Sequence, residues 1–244
     1  MREIVIEKNE AGQRLDKFLA KYMNEASKSF FYKMMRKKNI TLNGKKAAGN
    51  EKLEEGDTVK LFLSEETIEG FREKKKRAVH TGAKLDILYE DEQVMLINKP
   101  AGMLSQKAEK GDISMVEHLI SHLLDTGEVT EEMLKTFRPS LCNRLDRNTS
   151  GIVAAGKTLQ GLQILSGLFK ERTLHKYYLC IVKGVIKEEQ DVRGWLLKNE
   201  KTNQVRIFKN ETKDARPIHT KYHPLADNGQ ETLLEIELLT GRTH

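Results

Sequence analysis

The chain reads as α+β: a small helix-and-hairpin segment at the N-terminus, followed by a larger region in which a mixed, largely antiparallel sheet carries flanking helices. Three observations predict this. Helical spacing near residue 15 gives way to an Asn-Gly turn between strand-like runs; beyond Ala83, apolar runs of strand length alternate with two longer helical patterns; and a charge-rich stretch with few apolar positions separates the two regions.

The first helix is predicted from Arg14 onward, where Leu15, Phe18, Leu19 and Tyr22 recur at helical spacing and make one face core. Ser27 is a candidate cap for a second helix, with Phe30, Phe31, Met34 and Met35 on its apolar side, Lys33, Arg36 and Lys37 on the other, and Asn39 at its end. Ile40–Leu42 reads as a strand entering the Asn43-Gly44 hairpin turn, and Thr58–Leu63, after Gly56-Asp57, as the strand that closes the segment. Residues 64–82 form a charged linker by composition, with Glu65, Glu66 and Glu69 followed by a basic half, Arg72 to Arg77. Strands are then expected at Leu85–Tyr89, Val94–Asn98, Ile152–Ala155, Tyr177–Val182 and Thr232–Leu239, and helices at Ser114–Leu124 and Thr158–Phe169. The domain reading is therefore 1–63, a linker 64–82, and 83–244.

Composition narrows the function classes. With 38% hydrophobic and 32% charged residues, the 244-residue chain fits an ordinary soluble protein. No apolar stretch approaches the ~20 residues a bilayer demands, and Met1–Lys8 lacks a signal peptide's apolar segment, so no membrane association and a cytoplasmic location are expected. Cys142 and Cys180 are too few for a disulfide framework and lack zinc spacing; both are expected to be reduced and structural. His118 and His122 lie four apart on a predicted helix without a third ligand, and no metal site is expected. Nor is there a glycine-rich phosphate loop, and no cofactor is expected.

The net charge of +6 is unevenly spread: residues 1–63 hold 14 Lys or Arg against 9 Asp or Glu. Between Glu25 and Glu51 there is no acid, while Lys28, Lys33, Arg36, Lys37, Lys38, Lys45 and Lys46 fall in that window. A one-sign stripe of this kind is the footprint expected for a phosphate backbone.

The run Cys142-Asn143-Arg144-Leu145-Asp146-Arg147-Asn148-Thr149-Ser150-Gly151 puts one carboxylate between two guanidinium groups, a pattern that on spacing alone is more often a surface ion-pair network than a catalytic site. Asp146 has arginines two before and one after it, which favours its charged form and suits it to act as a nucleophile or base. Thr149, Ser150 and Gly151 can bend the chain before the apolar strand that follows, so the carboxylate is expected on a loop feeding a rigid element.

That run resembles the His-Arg-Leu-Asp-x-x-Thr-Ser-Gly signature of the RluA-like family of RNA pseudouridine synthases. Three more segments resemble the family's motifs in the family's order: Leu88–Asp91 followed by Val94 to Gly102, Lys176–Gly184 with its Lys-x-Tyr pattern, and Leu239–His244. Residues 12 to 63 are similar to the αL-type RNA-binding module named after ribosomal protein S4, in which the second helix and hairpin meet RNA.

The resemblance implies an isomerase that converts uridine to pseudouridine in RNA without cofactor or metal, favouring large-subunit ribosomal RNA, with tRNA the other candidate. It implies that Asp146 is the catalytic carboxylate, that Tyr178 stacks on the target uracil, and that Arg144 fills the space left by the extruded base. Arg147 and Arg242 join the basic stripe as RNA contacts. Tyr177, on the opposite face of its strand, is expected to pack.

Two departures stand out. Asn143 replaces the signature's histidine, and the chain stops at His244 where the family continues with a further arginine expected to pair with the aspartate. A truncated form of weak activity is therefore expected, with monomer as the default state. The alternative reading is a non-catalytic RNA-binding or ribosome-assembly protein, which demands nothing of Asp146.

Overall fold

The computed structural model describes residues 1–72, 80–109, 111–199, 202 and 204–240. The chain divides into two compact units, Met1–Gly167 and Leu168–His244. It is α+β, and every strand pairing among the described residues is antiparallel.

In the first unit, strands β1 (Arg2–Val5), β2 (Ile40–Leu42), β3 (Lys45–Lys46) and β4 (Thr58–Leu61) form a sheet of order β1-β4-β2-β3. Helices α1 (Leu15–Tyr22) and α2 (Lys28–Arg36) bury the stripe their spacing predicts, with Leu15, Phe18, Leu19, Phe31 and Met35 at most 1% exposed. Ser27 caps α2 by accepting the Phe30 N–H at 3.2 Å. The helix ends at Arg36, three residues before Asn39, and Lys38 takes the left-handed conformation (φ 59°). Asn43 and Gly44, at φ 51° and 72°, make the predicted two-residue turn. Asn43 also fastens it, its side chain accepting from Thr58 N–H and donating to Asp57.

Composition placed a tether from residue 64, and the structure differs. A short helix α3 (Glu65–Gly70), capped by Ser64, inserts Ile68 fully into the core around α1 and α2. Phe71 lies 4.7 Å from Phe30, and the Arg72 guanidinium sits 4.6 Å over the Tyr22 ring. One buried isoleucine in an acidic stretch has no periodicity to betray it, yet it ties the helix down. The rest of the basic half, Glu73 to Arg77, lies outside the described residues.

A second sheet of the same unit has order β5-β6-β8-β7, from β5 (Ile87–Glu90), β6 (Val94–Lys99), β7 (Ser140–Leu141) and β8 (Gly151–Gly156). Met95, Ile97, Val153 and Ala155 are buried on these strands, and Leu119, Ile120 and Leu123 on α4 (Met115–Asp125). Helix α4 begins with a capping box between Ser114 and Glu117. Lys157 joins Glu90 (2.7 Å), the Asp91 carbonyl (2.8 Å) and Glu128 before α5 (Leu159–Glu171) begins. Gly161 brings that helix so close to the second sheet that a Cβ there would lie 2.1 Å from the Gln93 carbonyl oxygen.

The second unit is one sheet of order β11-β10-β12-β13-β9, built from β9 (Tyr177–Lys183), β10 (Gln190–Asn199), β11 (Gln204–Phe208), β12 (Arg216–Asp227) and β13 (Glu231–Leu238). Among the described residues no helix is long and apolar enough to cross a membrane.

Candidate active site

Asp146 lies on the loop between β7 and β8, and the sequence around it explains how the loop is held. Asn143 acts as a false strand residue: its Oδ1 accepts the Ala154 N–H at 2.8 Å and its Nδ2 donates to the Ile152 carbonyl at 3.1 Å. With Cys142 N–H donating to the Ala154 carbonyl at 2.7 Å, the incoming strand stays stitched to β8 up to one residue before Arg144. Ser105 then grips Leu145 from the other side, its Oγ donating to the Leu145 carbonyl at 2.6 Å and accepting its N–H at 3.0 Å. The turn closes through Thr149 N–H on the Asp146 carbonyl, 3.1 Å, and Gly151 enters β8 at φ 128°, which favours glycine.

Lys99 secures the far end. At the close of β6 it is wholly buried, and its Nζ donates to the carbonyls of Met103 (2.8 Å), Pro100 (3.0 Å) and Arg147 (3.2 Å). The Gly102 N–H adds a 2.7 Å bond to the same Arg147 carbonyl. Burial pulls the Lys99 ammonium below the usual lysine range, and the nearby negative charge of Asp146 acts in the opposite direction. A motif that reads on sequence as a strand running into a turn thus supplies a buried cation that pins the Asp146 loop. The signal was available, a lysine ending an apolar strand just before proline; for Ser105 there was none.

The loop's side chains are left open. Asp146, Arg144 and Arg147 are all exposed. The two arginines and Asp146 share a cleft of about 190 Å³ with residues 104–108. Among the described residues the Asp146 carboxylate forms no hydrogen bond or ion pair, so an oxygen is available to a ligand. Arg242 and the closing motif Gly241–His244 lie outside the described residues.

The remaining predicted residues fall in two places. Lys28, Lys33 and Arg36 on α2, Lys37 and Lys38 just after it, and Lys45 and Lys46 on β3 are all exposed. Tyr178 belongs to the second unit, half-buried on β9 and paired across to Ile236. Tyr177 does lie on the opposite face, but it does not pack into a core: it is 58% exposed and stacks on His175 at 6.2 Å. Alternation assigns the face of a strand, not whether that face is covered. Cys142 and Cys180 are free thiols, and burial pushes the Cys142 thiol up. His118 hydrogen-bonds the Thr81 hydroxyl through Nδ1 at 2.8 Å.

Comparison with known proteins then assigns the class. Residues 93–244 match the family model described as RNA pseudouridylate synthase, and residues 13–59 match that of the S4 domain. The chain belongs to the RNA pseudouridylate synthase family and carries an N-terminal S4 domain. It is 32% identical over 253 residues to ribosomal large subunit pseudouridine synthase C of Vibrio parahaemolyticus, covering 98% of this chain and 72% of that protein. The enzyme of the same name from Escherichia coli K12 is 29% identical, with 99% and 73% covered. An uncharacterized RNA pseudouridine synthase, YlyB, of Bacillus subtilis is 27% identical, with 99% and 76% covered. Among solved structures, human RNA pseudouridylate synthase domain containing 1 shares the fold at a TM-score of 0.51 and 20% identity, over 66% of this chain and 62% of that one.

Proposed function

We propose that the protein isomerises uridine to pseudouridine in large-subunit ribosomal RNA, with Asp146 as the catalytic carboxylate. In that reaction the bond from uracil N1 to the sugar C1′ breaks, the base turns, and C5 bonds to the same carbon. The hydrogen on C5 leaves as a proton and N1 ends protonated, so composition is unchanged and no oxidant or reductant is consumed. A carboxylate can attack the sugar or the ring covalently, or take a sugar proton while supporting positive charge at C1′. The observation that carries this reading is an exposed carboxylate at a cleft, without an ion pair among the described residues, on a loop clamped from three sides by Asn143, Ser105 and Lys99.

In this reading Arg144 occupies the space left by the extruded base, whose flipping costs a few kcal/mol, and Tyr178 stacks on the uracil. The module of residues 1–63, joined by α3, brings the RNA through Lys28, Lys33, Arg36, Lys37, Lys38, Lys45 and Lys46, with Arg147 and Arg242 as further RNA contacts. Residues 83–244 are the catalytic segment, and the protein acts as a monomer in the cytoplasm. Support for the ribosomal substrate is the naming of the Vibrio and Escherichia relatives as large-subunit enzymes.

The test is tritium release from RNA labelled at C5 of uridine. The wild-type chain should release tritium from ribosomal RNA, and Asp146→Asn should lose at least about a thousandfold in rate, as removal of a covalent or charge-stabilising group does. Retained release in the variant would remove Asp146 from the mechanism; wild-type RNA binding with no release at all would leave the non-catalytic binding alternative.

A further inference from the structure

The basic face of α2 carries one aromatic that neither the core nor the catalytic loop uses. Tyr32 is 37% exposed, although the preceding Phe31 is wholly buried. Lys28 and Arg36 lie one helical turn to either side of it, and Lys33 adjoins it, all three exposed. Its ring is held, not loose. The Tyr32 hydroxyl donates to Asp16 Oδ2 at 3.1 Å, and Arg14 holds the same carboxylate through Nε (3.1 Å) and Nη2 (2.9 Å). Asp16 is only 2% exposed, so this anchor is fixed. Burial pushes the Asp16 carboxyl upward, but the bonds from Arg14 and Tyr32 outweigh it and hold it below the usual range, as an ionised acceptor. Gly49, at φ 93°, packs against one side of the ring, where a Cβ would come 2.8 Å from Met35 Cε and 3.1 Å from a Tyr32 ring carbon.

We propose that Tyr32 is a stacking platform for an unpaired base of the bound RNA, with Lys28, Lys33 and Arg36 taking the flanking phosphates. An aromatic fixed at its hydroxyl end loses little freedom when a base settles on it, and cations one turn away on each side meet the backbone that runs past such a base. A duplex keeps its bases stacked on one another, whereas a loop or single strand can splay one out. The inference rests on the RNA-binding reading of the N-terminal module and goes beyond it by naming unpaired RNA as what this face takes.

The test uses the full chain and two probes, a fluorescein-labelled oligouridylate and a blunt RNA duplex, titrated by anisotropy over a range of salt. Tyr32→Leu should weaken oligouridylate binding by about 5- to 100-fold without changing the salt slope, because stacking is not an ionic contact. Its duplex affinity should stay at the wild-type value. Tyr32→Phe loses the Asp16 bond but keeps the ring, and should retain most of the affinity. The pair Arg36→Glu, Lys37→Glu should weaken both probes and flatten both slopes. If Tyr32→Leu binds like wild type while the charge pair weakens binding, the stacking role is overturned and the RNA face stands. If the charge pair has no effect either, the RNA-binding reading falls and takes the proposal with it. Equal losses for Tyr32→Phe and Tyr32→Leu would assign the effect to the Asp16 anchor and overturn the platform.

Discussion

At the scale of single residues, the site depends on groups whose own chemistry is never used. Lys99 is the clearest: a buried ammonium is costly unless fully bonded, and three carbonyls that converge on its Nζ supply that bonding. One of them belongs to Arg147, next to Asp146, so the lysine sets where the carboxylate's backbone sits. Lys99→Met keeps the length of the side chain and removes every donor, leaving the Pro100 and Met103 carbonyls short of a partner while Arg147 keeps the Gly102 N–H, at roughly 1–3 kcal/mol for each buried group that finds no water. The variant should melt several degrees below wild type and release tritium more slowly. Lys99→Arg should not rescue it, since a planar fork cannot bond three acceptors that point at one atom. Wild-type melting and turnover in Lys99→Met would show that the carbonyls are satisfied without it. The loop that holds Asp146 could be singled out in the sequence because a four-motif resemblance points to it, whereas the bonds by which Lys99, Asn143 and Ser105 hold that loop could not, because each depends on a partner between 9 and 48 positions away.

Elements were legible in proportion to how one-sided their burial is. Helices α1, α2 and α4 have one buried stripe, and the spacing of their apolar residues located each within a few positions. Strands β10 and β12 went unread because charged residues such as Asp191, Arg193 and Lys221 interrupt any apolar alternation. Strand β1 has only four residues, and α3 has a single buried side chain, Ile68. Helix α5 was legible too, but not the reason for its glycines. Replacing Gly161 by Ala should gain about 1 kcal/mol of helix propensity. Its Cβ would nevertheless meet the Gln93 carbonyl oxygen at 2.1 Å, a backbone atom that cannot turn aside. Overpacking of that kind costs about 1–3 kcal/mol or more, so the clash wins and Gly161→Ala should lower the melting temperature. Gly167→Ala, in the same helix with nothing within 4 Å of its new Cβ, should raise or preserve it. If both variants were stabilised, the turn at Gln93 would have to yield, and the close approach would not position the helix.

For the whole molecule, the deciding quantity is where unpaired positive charge remains. The net charge is +6, and residues 1–63 carry a surplus of five bases. Several of their cations are already spent: Arg2 on Glu65 and Glu69, Arg14 on Asp16, Lys60 on Glu3. Lys28, Lys33, Arg36, Lys37, Lys38, Lys45 and Lys46 are exposed and make no ion pair among the described residues. Charge left without a protein partner keeps its condensed-counterion exchange for RNA, and each phosphate it neutralises contributes about 0.7 to the slope of log affinity against log salt for single strands. Reversing Arg36 and Lys37 to Glu removes two such contacts, so the slope should flatten by about 1.4, with affinity at low salt falling at every RNA sequence alike. Reversing a spent cation, Lys60→Glu, should leave the slope where it was. Equal slopes for wild type and the Arg36, Lys37 pair, measured by anisotropy over the same salt range, would show that the acid-free stripe is a solvated face and that RNA docks elsewhere.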